Sequence, residues 1–388
     1  MFIRRTIATV ATAAALLTAI GATATQASAD VIVDPSVDTS AMGASIAKAL
    51  GGGNTVGFAY AIAENGQYAT SGSAGKARTG PDGNVNFTST TRMEIASSTK
   101  NFTAVAVQKL IEKTPGLTVN SPIMPFLPLS FQQKADASWD KVTFRHLLNH
   151  TSGLEQLEQT LTAAQLAQYN KSYTGVEFAV GLKLTVPSPG LYTNMNYAVL
   201  RLIIPRLWRD VEPNRGVPVV SSTNSGLWAL NYVNERLLAP AGIAPTSCIS
   251  ANPSTAALAY NVNDVANGGV FYQLSGVGFE QCAGHRGLHL SAMDLVRWQA
   301  HLAHGTIISP AVRLQMDSLK LGWRGGSNSG SNTGIYWHDG LLQFNGTELN
   351  TCHAKFPGGV EASVLFNSQN RGGVSPCTVL INAYNAGK

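Results

Sequence analysis

Strand-like sequence stands at both ends of this chain with helical sequence between, and that order restricts the fold more than any other feature. Near the start, Val56, Phe58, Tyr60 and Ile62 alternate with smaller residues up to Asn65-Gly66, the pattern of a strand running into a β-hairpin. A short helical segment, Ser40 to Leu50, precedes it. From Ser97 the period changes: Phe102, Val105, Ala106 and Leu110 share one face of a helix that stops before Pro115. The middle keeps the helical period in VTFRHLLNHTSGL, NYAVLRLIIPRLW and GLWALNYVNERLLAPAGI. Strand signals return in LKLGW, GIYWHDG, ELNTCHAKF and VEASVLFNS, and SPCTVLINAYN closes the chain as a helix. RGGSNSGSNTG, Arg324 to Gly334, lies between strand signals and reads as a flexible hairpin loop. These segments imply an α/β fold of the α+β type, with an antiparallel sheet flanked by helices and split by an inserted, mostly helical lobe. Residues 30–105 and 285–388 are expected to form the sheet lobe and 106–284 the helical lobe, with a cleft between them.

The opening MFIRRTIATVATAAALLTAIGATATQASAD reads as a signal peptide over residues 1–29, with two arginines, an apolar run and Ala27-Ser28-Ala29 before the cut. Threonines interrupt the run, which is shorter than the ~20 apolar residues of a spanning helix. No other stretch is apolar enough to cross a membrane, so the mature protein is expected to be secreted or extracytoplasmic. The formal charge of +5 includes Arg4 and Arg5 of this leader, and the remaining charges are scattered, which gives nucleic-acid binding no support. The four cysteines form an even set in a chain bound for an oxidising compartment, so two disulfides are expected. Sequence order favours Cys248 with Cys282 and Cys352 with Cys377. Cys282, His285 and His289 have a spacing that suggests zinc, but no further ligand stands nearby and Cys282 is expected in a disulfide.

A serine three residues before a lysine occurs four times, at Ser45 and Lys48, Ser73 and Lys76, Ser97 and Lys100, and Ser138 and Lys141. Only Ser97 opens a long amphipathic helix behind an apolar approach, Ile95-Ala96. Residues i and i+3 share a helix face, so the Lys100 amine can reach the Ser97 hydroxyl, and the free N–H groups of the helix start favour developing negative charge. An N-capping serine followed by a surface lysine would give the same letters. Two further segments add weight. PSPGLYTNMNYAVL places Tyr192 and Asn194 just after a Pro and Gly turn, and WHDG, Trp337 to Gly340, follows the Arg324 loop.

Taken in order, MEIASSTKNFTAVAVQKLIEK, VTFRHLLNHTSGL, PSPGLYTNMNYAVL, GLHLSAMDLVRWQAHLAHGTIISPAVRLQM and WHDGLLQFNGTELNTCHAKFPGGVEASVLFNS resemble the serine β-lactamase and penicillin-binding-protein superfamily, within it the class C β-lactamase and DD-peptidase-like serine hydrolases. The resemblance implies a β-lactamase/transpeptidase-like fold and an acyl-enzyme formed on Ser97. Lys100 then resembles the activating amine, Tyr192 the general base, and Asn194 the amide that holds Lys100. His338, Asp339 and Gly340 resemble the third motif, and the N–H groups of Ser97 and Leu341 an oxyanion hole. His150 matches a segment of scaffold character. The substrate is expected to be a small molecule or peptide carrying an ester or amide bond, with no metal and no cofactor required. A penicillin-binding or cell-wall-interaction protein that acylates without efficient turnover, and a true β-lactamase, are the alternatives. Asp339 stands where the family usually has a hydroxyl. An ionised carboxylate repels a substrate carboxylate, so neutral or cationic substrates are expected to be preferred unless Asp339 turns inward to pair with a base such as Lys355. The oligomeric state is not legible.

Overall fold

Seven strands form one antiparallel sheet in the computed structural model, which describes residues 37–249, 253–272, 280–327 and 333–388. Residues 1–29, read from the sequence as a leader, and residues 328–332 of the Arg324 loop lie outside the described residues. In chain order the strands are β1 (Gly57–Glu64), β2 (Gln67–Arg78), β3 (Val85–Asn86), β4 (Met93–Glu94), β5 (His289–Leu290), β6 (Gly325–Gly326), β7 (Tyr336–Phe344), β8 (Thr347–Phe356) and β9 (Val360–Phe366). β4 and β5 make a separate ribbon, and the sheet runs β3-β2-β1-β9-β8-β7-β6. The hairpin between β1 and β2 turns on Asn65 and Gly66, both at positive φ (50° and 77°), as a tight two-residue turn requires.

β1 is paired on both sides, with β2 and with β9, the latter from Phe58 opposite Phe366 to Glu64 opposite Val360. Its alternation sorts two cores. Phe58, Tyr60 and Ile62 join Met42, Ile46, Leu380 and Tyr384 of the helices Thr39–Leu50 and Pro376–Gly387. Ala59, Ala61 and Ala63 face the other way, toward Leu295 and Trp298 of the helix Ala292–His304. Their small side chains let that helix lie close to the sheet. The same core continues into the helices Thr99–Lys113 and Asn194–Val211, which pack together.

One expected strand is absent. Leu319 to Trp323, from LKLGW, is a turn after the helix Pro310–Ser318, because Lys320 and Gly322 take left-handed φ of 54° and 80°, which a strand cannot hold. The strand before the loop is β6, inside RGGSNSGSNTG itself. A Cβ on Gly325 would stand 2.1 Å from the Trp337 ring, so glycine is what lets Trp337 lie across this short strand. Disulfides join Cys248 to Cys282 and Cys352 to Cys377, the pairing that sequence order favours. Among the described residues no helix is long and apolar enough to cross a membrane.

Candidate active site

Ser97 sits in a single 3-10 turn, Ala96–Ser98, that runs straight into the helix Thr99–Lys113. Ala96 holds φ at 49°, a left-handed conformation that a non-glycine residue adopts only when its surroundings impose it. Those surroundings are visible. Thr351 on β8 donates to the Ile95 carbonyl at 3.0 Å and lies 2.9 Å from Ser98 Oγ, so the turn is stitched to the sheet on both sides of Ser97. Gly340 on β7 presses against the same turn. A Cβ there would fall 2.2 Å from Ile95 O and 3.1 Å from Ala96 Cβ.

Lys100, one helical turn on, is completely buried, and its Nζ lies 3.0 Å from Ser97 Oγ, 2.7 Å from Asn194 Oδ1 and 2.9 Å from the His285 carbonyl. Tyr192 OH donates to Ser97 Oγ at 2.8 Å. Asn194 opens the helix Asn194–Val211, whose N-cap, Thr193, accepts from Met195 N at 3.2 Å. Thr193 also donates to Glu158 Oε2 at 3.3 Å, which fixes the Tyr192 turn from outside. The other three Ser and Lys pairs are not joined: Lys48 is exposed, Lys76 bonds Asn86 Oδ1 at 2.7 Å, and Ser138 donates to Asp136 Oδ1 at 2.6 Å.

Burial pulls the Lys100 amine well below the ordinary lysine range; Asp339 opposes that shift, and Arg324, Arg286 and Lys171 deepen it. Burial pushes the Tyr192 phenol the other way, above its ordinary value, against the hydrogen bond it makes to Ser97. Both shifts favour the neutral form, which sets an amine that can take a proton beside a phenol that can donate one. The Lys100 Nζ lies 4.9 Å from the Tyr192 ring centroid and 5.7 Å from that of Tyr197.

His338 is buried on β7, and its Nδ1 donates to the Asp339 carbonyl at 2.7 Å, which fixes a proton on that nitrogen. Burial holds it well below the usual histidine range, with Lys100 adding to the shift. Asp339 stands opposite Cys352 in the register. It does not pair with Lys355, which bonds Asp317 instead. Burial raises its carboxyl, and the Arg324 guanidinium is the leading influence against that rise. Leu341 is half-exposed. Beyond Trp337, the outer edge of β7 carries no ladder partner among the described residues, since β6 reaches only Tyr336 and Trp337.

Two residues of the site were not singled out from the sequence. Arg324 places its guanidinium carbon 4.5 Å from the Tyr192 ring centroid, and its backbone N–H donates to Trp337 O at 3.0 Å. It opens the segment read as a flexible loop, and only its charge in an otherwise polar, glycine-rich run marks it. His150, read as scaffold, touches the site directly. Its ring lies 4.6 Å from that of Tyr192, and Nδ1 accepts from Thr193 N at 3.3 Å and faces Asn196 Nδ2 at 3.0 Å. Burial and the neighbouring Lys100 hold it down to about 3, so it stays neutral. Its positive φ of 61° was the hidden signal. A groove of about 740 Å³ lined by Tyr68, Arg297, His301 and His304 shares no residue with this site.

Known proteins share the fold. FmtA of Staphylococcus aureus superposes with a TM-score of 0.62 at 16% identity, covering 90% of this chain and 89% of that one. The D-amino acid amidase of Ochrobactrum anthropi SV3, complexed with L-phenylalanine, gives 0.59 at 18% identity over 89% and 98%. The octameric penicillin-binding protein homologue from Pyrococcus abyssi gives 0.59 at 19% identity over 89% and 76%. In sequence, protein flp of Staphylococcus aureus is 31% identical over 126 residues, 32% of this chain and 24% of that protein, so the chain spans about a quarter of that relative's length. The sequence model of the Beta-lactamase family matches residues 44–371, from the first helix to the end of the sheet, and by that match the chain belongs to the Beta-lactamase family.

Proposed function

We propose that the chain is an exported serine hydrolase that cleaves an ester or amide bond through an acyl-enzyme on Ser97. The observation that carries this is the pairing of Ser97 Oγ with a buried amine at 3.0 Å and a buried phenol at 2.8 Å, each shifted toward its neutral form by burial. A neutral Lys100 amine has two N–H bonds and one lone pair. Asn194 Oδ1 and the His285 carbonyl take the two N–H bonds, and the lone pair is left for the serine proton. Ser97 Oγ attacks the substrate carbonyl carbon while its proton passes to Lys100. The oxyanion is held by the N–H groups of Ser97 and Leu341, brought to one side because Gly340 lies against the Ser97 turn. The proton then travels through Tyr192 to the leaving group, and water, deprotonated along the same path in reverse, releases the acyl group. Tyr192 acts as a relay in this scheme, because its raised pKa opposes a standing phenolate.

In this reading the cleft lies between a sheet lobe (30–105 and 285–388) and a helical lobe (106–284), and the leader and the two disulfides support a place outside the cytoplasm. Substrate charge is set by Asp339 and Arg324 together. The carboxylate disfavours free-acid substrates, and the guanidinium above Tyr192 tempers that repulsion. The test is covalent labelling of wild type and Ser97→Ala by a fluorescent penicillin and a fluorophosphonate, with steady-state turnover of a neutral ester and an amide. Labelling that survives Ser97→Ala overturns the assignment. Stoichiometric acylation without turnover favours the penicillin-binding alternative.

A further inference from the structure

We propose that the guanidinium of Arg201 holds a small monovalent anion, chloride under ordinary conditions, in the core behind the nucleophile. Arg201 lies on the helix Asn194–Val211 and is completely buried. Its Nη1 donates to the Lys171 carbonyl at 3.0 Å, while Nε and Nη2 have no hydrogen-bond partner among the described residues. Burial lowers its pKa only to about 10, so the group keeps its charge at neutral pH. A buried guanidinium with two unmade N–H bonds and no hydrogen-bonded counter-charge is one of the costliest arrangements a core can contain.

The neighbouring charges are already committed. Arg286 pairs with Glu94 at 3.3 Å, Lys171 with Glu158 at 3.3 Å, and Lys100 gives its N–H bonds to Asn194 Oδ1 and the His285 carbonyl. Glu280 is the acid whose charge reaches Arg201, and it makes no hydrogen bond to it. Gly284 lies against the arginine, where a Cβ would fall 3.1 Å from Arg201 Cβ and 3.4 Å from Cδ. The next residue, His285, is buried with Nδ1 also unpartnered, and burial, reinforced by Arg201, Arg286 and Lys171, keeps its ring neutral. Two orphaned groups thus lie in the buried interior, and the Arg201 charge reaches the His285 ring. The fork of Nε and Nη2 suits an anion, and full burial restricts that anion to a small, weakly hydrated one rather than a phosphate or a metabolite.

The position gives such an ion a readout. Thr103 Oγ1 donates to the Ala283 and Gly284 carbonyls at 3.0 and 2.7 Å, and Lys100 Nζ to the His285 carbonyl, so residues 283–285 form the wall between Arg201 and Lys100. The charges that face Lys100 are Asp339, Arg324, Arg286 and Lys171, with the Tyr192 and Tyr197 rings and the neutral His150, His285 and His338 around them. A negative ion beyond the wall favours the protonated amine. The acid limb of kcat/KM then moves to higher pH in halide by about half a pH unit or more. This kinetic arm rests on Lys100 as the base; the two binding arms do not.

Thermal unfolding in sodium chloride or bromide, against sodium gluconate at equal ionic strength, should give a Tm about 2 °C higher in halide. That increment should vanish in Arg201→Met. Crystals grown in sodium bromide should show an anomalous peak at the Arg201 fork. A wild type indifferent to halide, an increment that persists in Arg201→Met, or a fork filled by the Glu280 carboxylate or by water in the bromide crystals overturns the proposal. If Arg201→Met does not fold, the wild-type halide series and the bromide map decide it. An acid limb that ignores halide while the bromide peak is present supports the ion and counts against Lys100 as the base.

Discussion

A lysine that sits completely buried between a serine, an amide and a carbonyl has a stability signature as well as a kinetic one. In the unfolded chain Lys100 titrates near the usual ~10.4, and in the fold burial depresses it well below that. Between the two values the unfolded chain binds a proton that the folded protein does not, so stability rises with pH across that window and falls as pH drops toward the folded pKa. The Tm of wild type relative to Lys100→Met should therefore improve from about pH 7 to about pH 10. A difference that does not change with pH would mean that Lys100 is charged in the fold. Tyr192→Phe keeps the ring stack on His150 but removes the donor to Ser97 Oγ, and should lower kcat by about 10²-fold or more. For substrate charge, the ratio of kcat/KM for a carboxylate-bearing β-lactam to that for a neutral ester should rise about tenfold in Asp339→Thr and fall in Arg324→Ala, one unit of pKa-scale interaction in each direction. An unchanged ratio in both variants would remove these two side chains from selection.

At the level of elements, the helix start at Ser97 and the strand end at Gly340 must touch. Gly340→Ala inserts a methyl group 2.2 Å from the Ile95 carbonyl, which the stitched turn cannot yield, so the substitution should cost about 1–3 kcal/mol of stability and most of the activity. Urea unfolding and acylation rates read the two losses separately. A fully active Gly340→Ala would show that the turn and the strand are not coupled. The proximity of Ser97 and Lys100 was legible because both stand at one helix start, where i and i+3 share a face, whereas Tyr192 and Asn194 were joined to them only by the family resemblance. Arg324 was not, because its position depends on β6, a two-residue strand made of glycines with no periodicity to read. LKLGW misled for the opposite reason: its alternating Leu321 and Trp323 are buried by a turn with two left-handed residues, a geometry that imitates strand burial without strand backbone. The hairpin at Asn65-Gly66 and the cysteine pairs could be read because turn chemistry and redox chemistry are local.

Across the whole molecule, the disulfide between Cys352 and Cys377 ties β8 to the C-terminal helix across a separation of 25 residues. Replacing both cysteines by alanine should cost about 3 kcal/mol. Mass spectrometry of the non-reduced wild type should find no thiol open to alkylation, and a single modified cysteine would contradict the pairing. The order of strands in the sheet has a further effect. β1 finds one of its two neighbours in β9, some three hundred residues later, and Asp38 N donates to Gly387 O at 2.8 Å, so the first and last helices close on each other. Ser97 and Lys100 are made early, but Gly340, Leu341 and Thr351, which shape and brace the turn around the serine, are made late. With Ser97 as the proposed nucleophile, the growing chain would carry it without the strand that shapes its site, and hydrolytic competence would wait until the last third of the polypeptide closes over the first.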